Sequence, residues 1–210
     1  MKAQEKKQAL AILKERYFDA KPALEYSTAY ELLVAVMLSA QCTDARVNIV
    51  TRELFKRYNT PSAMLTLSQE ALEKYIFSCG FYRNKAAHIL SASRDVLERF
   101  GGEVPSTIEE LMSLAGVGKK TANVVYSVWF GGAAIAVDTH VFRVSNRLGL
   151  AKGNTPEKVE AALNKAIPKD DWSKAHHWLI YHGRQICHSQ KPECAVCPLR
   201  SLCDYAKKNG

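Results

Sequence analysis

The chain has 210 residues, enough to bury one core well or two small ones. Its 47% hydrophobic content excludes a disordered chain, and 29 lysines and arginines against 21 acidic residues give a net charge of +8 and a pI near 9.2. That excess favours a polyanionic partner, nucleic acid first, although the basic residues are dispersed rather than gathered in a run. The opening Met1-Lys-Ala-Gln-Glu-Lys-Lys leads into too short an apolar stretch for a secretory signal. Nothing approaches the roughly 20 apolar residues of a membrane span, so no membrane partner is expected. Six cysteines in such a chain suggest a reducing compartment, and metal-bound or reactive thiols rather than disulfides.

In chain order, residues 4–19 read as a helix with Ala9, Leu10, Ile12, Leu13 and Tyr17 toward a core, broken by Pro22. Thr28-Ala-Tyr-Glu31 is a capping box opening a helix to residue 38. Ser39-Ala40-Gln41-Cys42-Thr43-Asp44 interrupts the pattern, and Thr43 or Asp44 can cap a helix over 45–58. Thr60-Pro61 and Ser68-Gln-Glu70 start two more, the second ending at Cys79-Gly80. A helix over 82–100 follows, then one that Ser106-x-x-Glu109 would cap. Beyond residue 138 come helices over 139–148, from Thr155-Pro156 to Pro168, and from Asp170-Asp171 to about residue 186. No segment alternates as a strand does. The expected fold is all-α, near eleven helices, with no repeat.

Gly116-Val117-Gly118-Lys119-Lys120-Thr121 lies between two helical patterns. Gly116 suits a left-handed helix end, and the next helix starts near Gly118. Its first-turn N–H groups lack helical partners and the macrodipole is positive there, so the turn is a seat for an anion, here a phosphate. On a helical wheel Ala122, Val124, Val125, Val128 and Trp129 form the apolar face. Lys119 falls opposite, in solvent. Lys120 falls on the flank against Val124, where partial burial and the helix end would both disfavour its ammonium. An amine so tuned is a nucleophile toward a sugar or carbonyl carbon; the plainer alternative makes both lysines phosphate contacts. Asp138 precedes the helix over 139–148 and reads as its N-cap, a position that also keeps a carboxylate ionised for catalysis.

Cys187-x6-Cys194-x2-Cys197-x5-Cys203 places four thiols in one Pro-containing loop. Soft thiolates suit iron–sulfur or zinc, and spacing alone leaves both open.

Leu114-x-Gly-Val-Gly-x-Lys120-Thr-Ala with Val137-Asp138-Thr139-His140 resembles the helix–hairpin–helix DNA glycosylases of the iron–sulfur type. The resemblance implies two helical lobes with a DNA-binding cleft between them. The central lobe would take residues 22–132, with the helix–hairpin–helix at about 107–130. Residues 1–21 plus 133–210 would form the other lobe, carrying the cluster loop 187–203. It implies that Lys120 attacks the sugar C1′ of a damaged nucleotide, assisted by Asp138 across the cleft, and that the Schiff base then breaks the strand by β-elimination. It implies a 4Fe–4S cluster on Cys187, Cys194, Cys197 and Cys203, structural rather than catalytic. The implied partner is double-stranded DNA with a damaged pyrimidine or an abasic site, bound by a cytoplasmic, nucleoid-associated monomer.

A glycosylase must extrude its target nucleotide and fill the gap. The resemblance assigns this to Gln41 and to Phe81, an aromatic where the family more often has an aliphatic wedge. Each also reads plainly, as a turn glutamine and a core aromatic. Gly116, Val117 and Gly118 would hold a backbone phosphate, and Lys191 would meet the DNA backbone, although Glu193 beside it makes that loop less basic. Ala115 stands where the family usually has proline. His140 reads as a buried hydrogen-bonding side chain, Cys42 and Cys79 as packing. Two rivals are weighed. An adenine-removing relative is opposed by Lys120, by Ala35 where those enzymes carry a Glu, and by the end at Gly210. A non-catalytic helix–hairpin–helix module with structural zinc leaves the pairing of Lys120 with Asp138 unexplained.

Overall fold

The computed structural model describes residues 1–209, and among them there is no strand. Twelve α-helices follow in order: α1 Ala3–Arg16, α2 Ala29–Leu38, α3 Asp44–Leu54, α4 Pro61–Met64, α5 Gln69–Ile76, α6 Tyr82–Arg99, α7 Ile108–Met112, α8 Lys119–Val128, α9 Thr139–Leu148, α10 Pro156–Ala166, α11 Trp172–Gln185 and α12 Asp204–Asn209. Short 3-10 turns lie at Lys169–Asp171 and Cys194–Val196. The chain divides into two compact units, one of residues 22–131, the other of residues 1–21 with 132 onward.

The unit 22–131 is built on α2. Its nine residues Tyr30 to Leu38 are all buried, so this is a core helix with no polar face. Each buried Leu or Val side chain there contributes about 1.5–3 kcal/mol. Thr28 Oγ1 accepts from Glu31 N at 3.1 Å, while the Glu31 carboxylate reaches back to Ser27 N at 2.5 Å. α3, α6 and α8 pack on α2, and α4 and α5 pack on α6.

In the other unit α9 is the hub, packed by α10, α11 and α12, and α1 lies on α11. Val141, Val144, Ser145 and Leu148 form the buried stripe of α9 at helical spacing. Ala9, Leu13 and Tyr17 are the buried residues of the α1 segment.

Several sequence expectations shift; the helix expected over 45–58 ends at Leu54, and the one expected to reach Cys79-Gly80 ends at Ile76. Helix α12 makes twelve rather than eleven; it is six residues long and buries only Ala206, so no apolar period marks it. Thr107, not Ser106, caps α7, its hydroxyl accepting from Glu110 N at 3.2 Å. Both Ser106-x-x-Glu109 and Thr107-x-x-Glu110 fit a capping box, and only tertiary packing chooses between them. Helix α7 ends at Met112 instead of continuing to Gly116, because Leu114 N and Val117 N turn back to Leu111 O and Leu114 O at 3.2 and 3.1 Å.

Candidate active site and cysteine centre

The hairpin between α7 and α8 is held by its glycines in different ways. Gly116 has φ +73°, and a Cβ there would lie 2.7 Å from His88 Cβ. Gly118, the N-cap of α8, has φ −84° and open space where a Cβ would stand. Nothing inside the protein therefore requires glycine at 118; close approach of a ligand to the backbone would. Val117 is buried and its N–H is engaged by Leu114 O, so it anchors the turn, closing it without the proline that Ala115 replaces.

Helix α8 turns the expected apolar face inward in part and adds polar residues to it. Ala122, Asn123, Val125 and Ser127 are buried, Val124 and Val128 are half-buried, and Trp129 is 41% exposed, its ring edge-on to Tyr26. Lys120 is exposed rather than half-buried, although Val124 on the same flank is half-buried against the core. The place of Lys120 in the first turn of α8 is as expected.

Two further turns of this unit carry exposed side chains on strained backbone. Gln41, between α2 and α3, has φ +53°, and Phe81, immediately before α6, has φ +57° and is 65% exposed. In the other unit Lys191 has φ +48°. These are the non-glycine residues with positive φ among the described residues. Left-handed backbone costs an L-residue about 1–2 kcal/mol and persists where surrounding structure enforces it, often at functional sites.

Asp138 caps α9. Its Oδ1 accepts from Val141 N at 2.7 Å, leaving Oδ2 outside the cap. The approach to it is fixed by buried Ala134–Val137, and by His176, whose Nδ1–H donates to Ala136 O at 2.7 Å. One turn further, Arg143 Nη2 donates to His140 Nδ1 at 3.1 Å. His140 is half-buried, not buried; burial pushes its imidazole below the ordinary range, against the pull of Asp138.

The helix that begins at Asp138 also holds the cysteine loop. Arg143 donates to Cys187 O at 3.0 Å and Gly183 O at 2.9 Å; Arg147 donates to His188 O at 2.5 Å and Ser189 O at 2.8 Å. Arg147 Nη1 also lies 3.7 Å from Cys187 Sγ. Neither arginine was singled out from sequence. Their i, i+4 spacing on α9 puts them on one face, but the carbonyls they serve lie some 40 residues away. The Glu193 carboxylate is 3.3 Å from His188 Nε2, directed there rather than to Lys191.

Cys187, Cys194, Cys197 and Cys203 line one pocket, together with Arg147, His182 and Leu199. Burial pushes the Cys197 and Cys203 thiols up, and the neighbouring thiols add to this. Among the described residues no three His, Cys, Asp or Glu side chains gather where one metal ion could sit.

The helix–hairpin–helix, the capped aspartate and the thiol-lined loop together define a DNA-repair scaffold, and comparison with known proteins agrees. The model of the HhH-GPD superfamily of base excision DNA repair proteins matches residues 34–169. Endonuclease III of Bacillus subtilis is 53% identical over 186 residues, 88% of this chain and 85% of that one. Endonuclease III of Rickettsia conorii is 46% identical over 205 residues, 98% of each chain. A trapped endonuclease III–DNA covalent intermediate superimposes with a TM-score of 0.96 at 47% identity, covering 100% of this chain and 99% of that one. The chain belongs to the HhH-GPD superfamily of base excision DNA repair proteins and, within it, to the endonuclease III family. A thermostable thymine-DNA glycosylase, 23% identical with a TM-score of 0.87, shares the fold.

Proposed function

We propose that this protein is a bifunctional DNA glycosylase and abasic-site lyase of base excision repair. One observation carries the reading: a relative 47% identical over the whole chain has been captured as a covalent intermediate with DNA, and this chain offers an exposed lysine amine behind its Gly116–Gly118 hairpin.

In this reading the Lys120 amine, after losing its ammonium proton, attacks C1′ of the damaged nucleotide. The C1′–N bond breaks, the base leaves, and the sugar opens to a Schiff base on Nζ. Loss of a C2′ proton then expels the 3′ phosphate by β-elimination. Asp138 accepts protons and faces the positive charge that develops on the sugar, and the N-terminus of α9 favours its ionised form. Oxidised or ring-damaged pyrimidines, the usual substrates of the family, are the proposed targets.

The hairpin seats a backbone phosphate, with Gly116 allowing the turn, Val117 anchoring it and Gly118 leaving room for the ligand. Gln41 fills the gap opposite the orphaned base, Phe81 wedges into the stack, and Lys191 meets a phosphate. Strained backbone at these three supports the assignment, since local packing gains nothing from an exposed side chain held at a cost.

Cys187, Cys194, Cys197 and Cys203 would hold a 4Fe–4S cluster, which supplies iron–thiolate cross-links within the loop. Four soft thiols lining one pocket suit iron–sulfur or zinc, and membership of the endonuclease III family favours the cluster. The protein is read as a monomer acting on double-stranded DNA at the nucleoid. No described helix is long and apolar enough to cross a membrane.

Borohydride treatment on a duplex with an abasic site should cross-link the protein to DNA. Lys120→Gln should abolish the cross-link while DNA binding persists. A cross-link that survives the substitution would move the nucleophile elsewhere.

A further inference from the structure

The Gln41 and Phe81 turns adjoin one another: a Cβ placed on Gly80 would lie 4.0 Å from Gln41 O. A cysteine follows the first exposed residue and another closely precedes the second, at 42 and 79. Cys79 is fully buried and Cys42 is half-buried; both join the core of this unit, close enough for the two thiols to influence each other electrostatically. Buried Lys85 stands beside both, its Nζ donating to Leu38 O at 2.8 Å at the end of α2.

We propose that Cys42 and Cys79 are an oxidant-modified pair, which peroxide converts to a disulfide tying the Gln41 turn to the Phe81 turn. The half-exposed thiol reacts first: Cys42 Sγ takes one peroxide oxygen to become a sulfenic acid, and the peroxide leaves as water or an alcohol. Cys79 Sγ then attacks Cys42 Sγ, the S–O bond breaks, and the hydroxyl leaves with the Cys79 proton as water. Both cysteines are oxidised by one electron each, and the peroxide is reduced. Burial, then Cys42, push the Cys79 thiol up to about 12, so Cys79 is protonated at rest and must give up its proton as it attacks; the nearby Lys85 ammonium works against that shift.

The consequence for DNA rests on the roles proposed above for Gln41 and Phe81; formation of the disulfide does not. A bond between the turns fixes the spacing of two side chains that must enter one gap in the duplex. A misplacement of an ångström can slow a reaction by about a hundredfold, so a loss on the order of tenfold is expected here.

The test treats the whole holoprotein with hydrogen peroxide, blocks free thiols, digests without reductant and reads the peptides by mass spectrometry. Expected is a peptide joining Cys42 to Cys79, lighter by two hydrogens and released by dithiothreitol. Base release from a lesion duplex should fall with the cross-link and recover on reduction. Cys42→Ala, or Cys42→Ser as a second variant, should keep its rate under the same peroxide, which controls for damage at the four-cysteine loop. Separate alkylation of both thiols after oxidation would overturn the pairing. A cross-link with unchanged base release, or equal loss in wild type and variants, would overturn the effect on DNA. Absence of base release from untreated protein would instead count against the glycosylase reading.

Discussion

In residues 22–131 the exposed turns rest on apolar packing: α2 is buried along its length, Val117 plugs the hairpin, and Gly116 abuts His88. In the other unit the Lys191 turn rests on polar anchors. Arg143 and Arg147 tie backbone carbonyls of the cysteine loop to α9, whose N-cap is Asp138. The difference teaches where each turn is vulnerable. Apolar support fails by loss of shape, whereas arginine–carbonyl support fails one bond at a time.

Substitutions can break or sharpen that contrast. The largest expected effect within the polar-held unit is at Asp138. Asn caps a helix about as well as Asp, so Asp138→Asn should leave thermal stability nearly unchanged. Base release should slow by about 2–4 kcal/mol of transition-state stabilisation if the carboxylate acts electrostatically. A wild-type rate in single-turnover assays would reduce Asp138 to a cap.

Arg147→Ala comes next. It removes donors to His188 O and Ser189 O, charge-assisted bonds worth about 1.5–3 kcal/mol each. Hydrogen exchange should accelerate in residues 186–193 and iron content should fall, while residues 22–131 exchange as before. Uniform acceleration in both units would dissolve the contrast between them.

The two hairpin glycines supply a smaller, paired test. Gly116→Ala forces a Cβ onto left-handed backbone and against His88, so stability should drop by about 1–2 kcal/mol or more in denaturant titrations. Gly118→Ala meets open space at φ −84°, so stability should hold while affinity for duplex DNA weakens. Unchanged DNA affinity in a folded Gly118→Ala protein would remove the phosphate seat.

A further probe is pH. Burial, then the neighbouring His176 and Arg184, lower His177 to about 3. Its folded value lies below the unfolded one, so the unfolded chain binds the proton first. Stability from neutral His177 is present above about pH 6.5 and lost as pH falls toward 3, with a slope near 1.4 kcal/mol per pH unit. Replacing His177 by Gln should flatten this part of the stability profile; an unchanged slope would assign it to other groups.

Short-range signals in the sequence carried much of the reading. Asp138 before α9, Gly116 at a turn and Thr155-Pro156 at α10 are each set by neighbours within a few residues, so they are legible without a fold. Exposure of Lys120 and Trp129 was not legible, because the wheel reports which residues are apolar, while the docking of α8 on α2 decides which are covered. Asn123 and Ser127 face inward for the same reason. Arg143 and Arg147 carry no local signal of their role, because their partners come from a loop distant in sequence. The left-handed backbone at Gln41, Phe81 and Lys191 has no residue-type signature, since none is a residue that readily adopts it.

Helix α1 lies on α11, so an early helix of this unit is completed by one that is made more than 150 residues later. At about 5–20 residues per second, Leu13 and Tyr17 wait roughly ten seconds or longer for Trp172–Gln185 to leave the ribosome. Residues 22–131 can meanwhile assemble from contiguous chain. Translation therefore leaves Leu13 and Tyr17 without their partner helix while most of this stretch is made, and a chaperone that shields them should raise the yield of folded molecules.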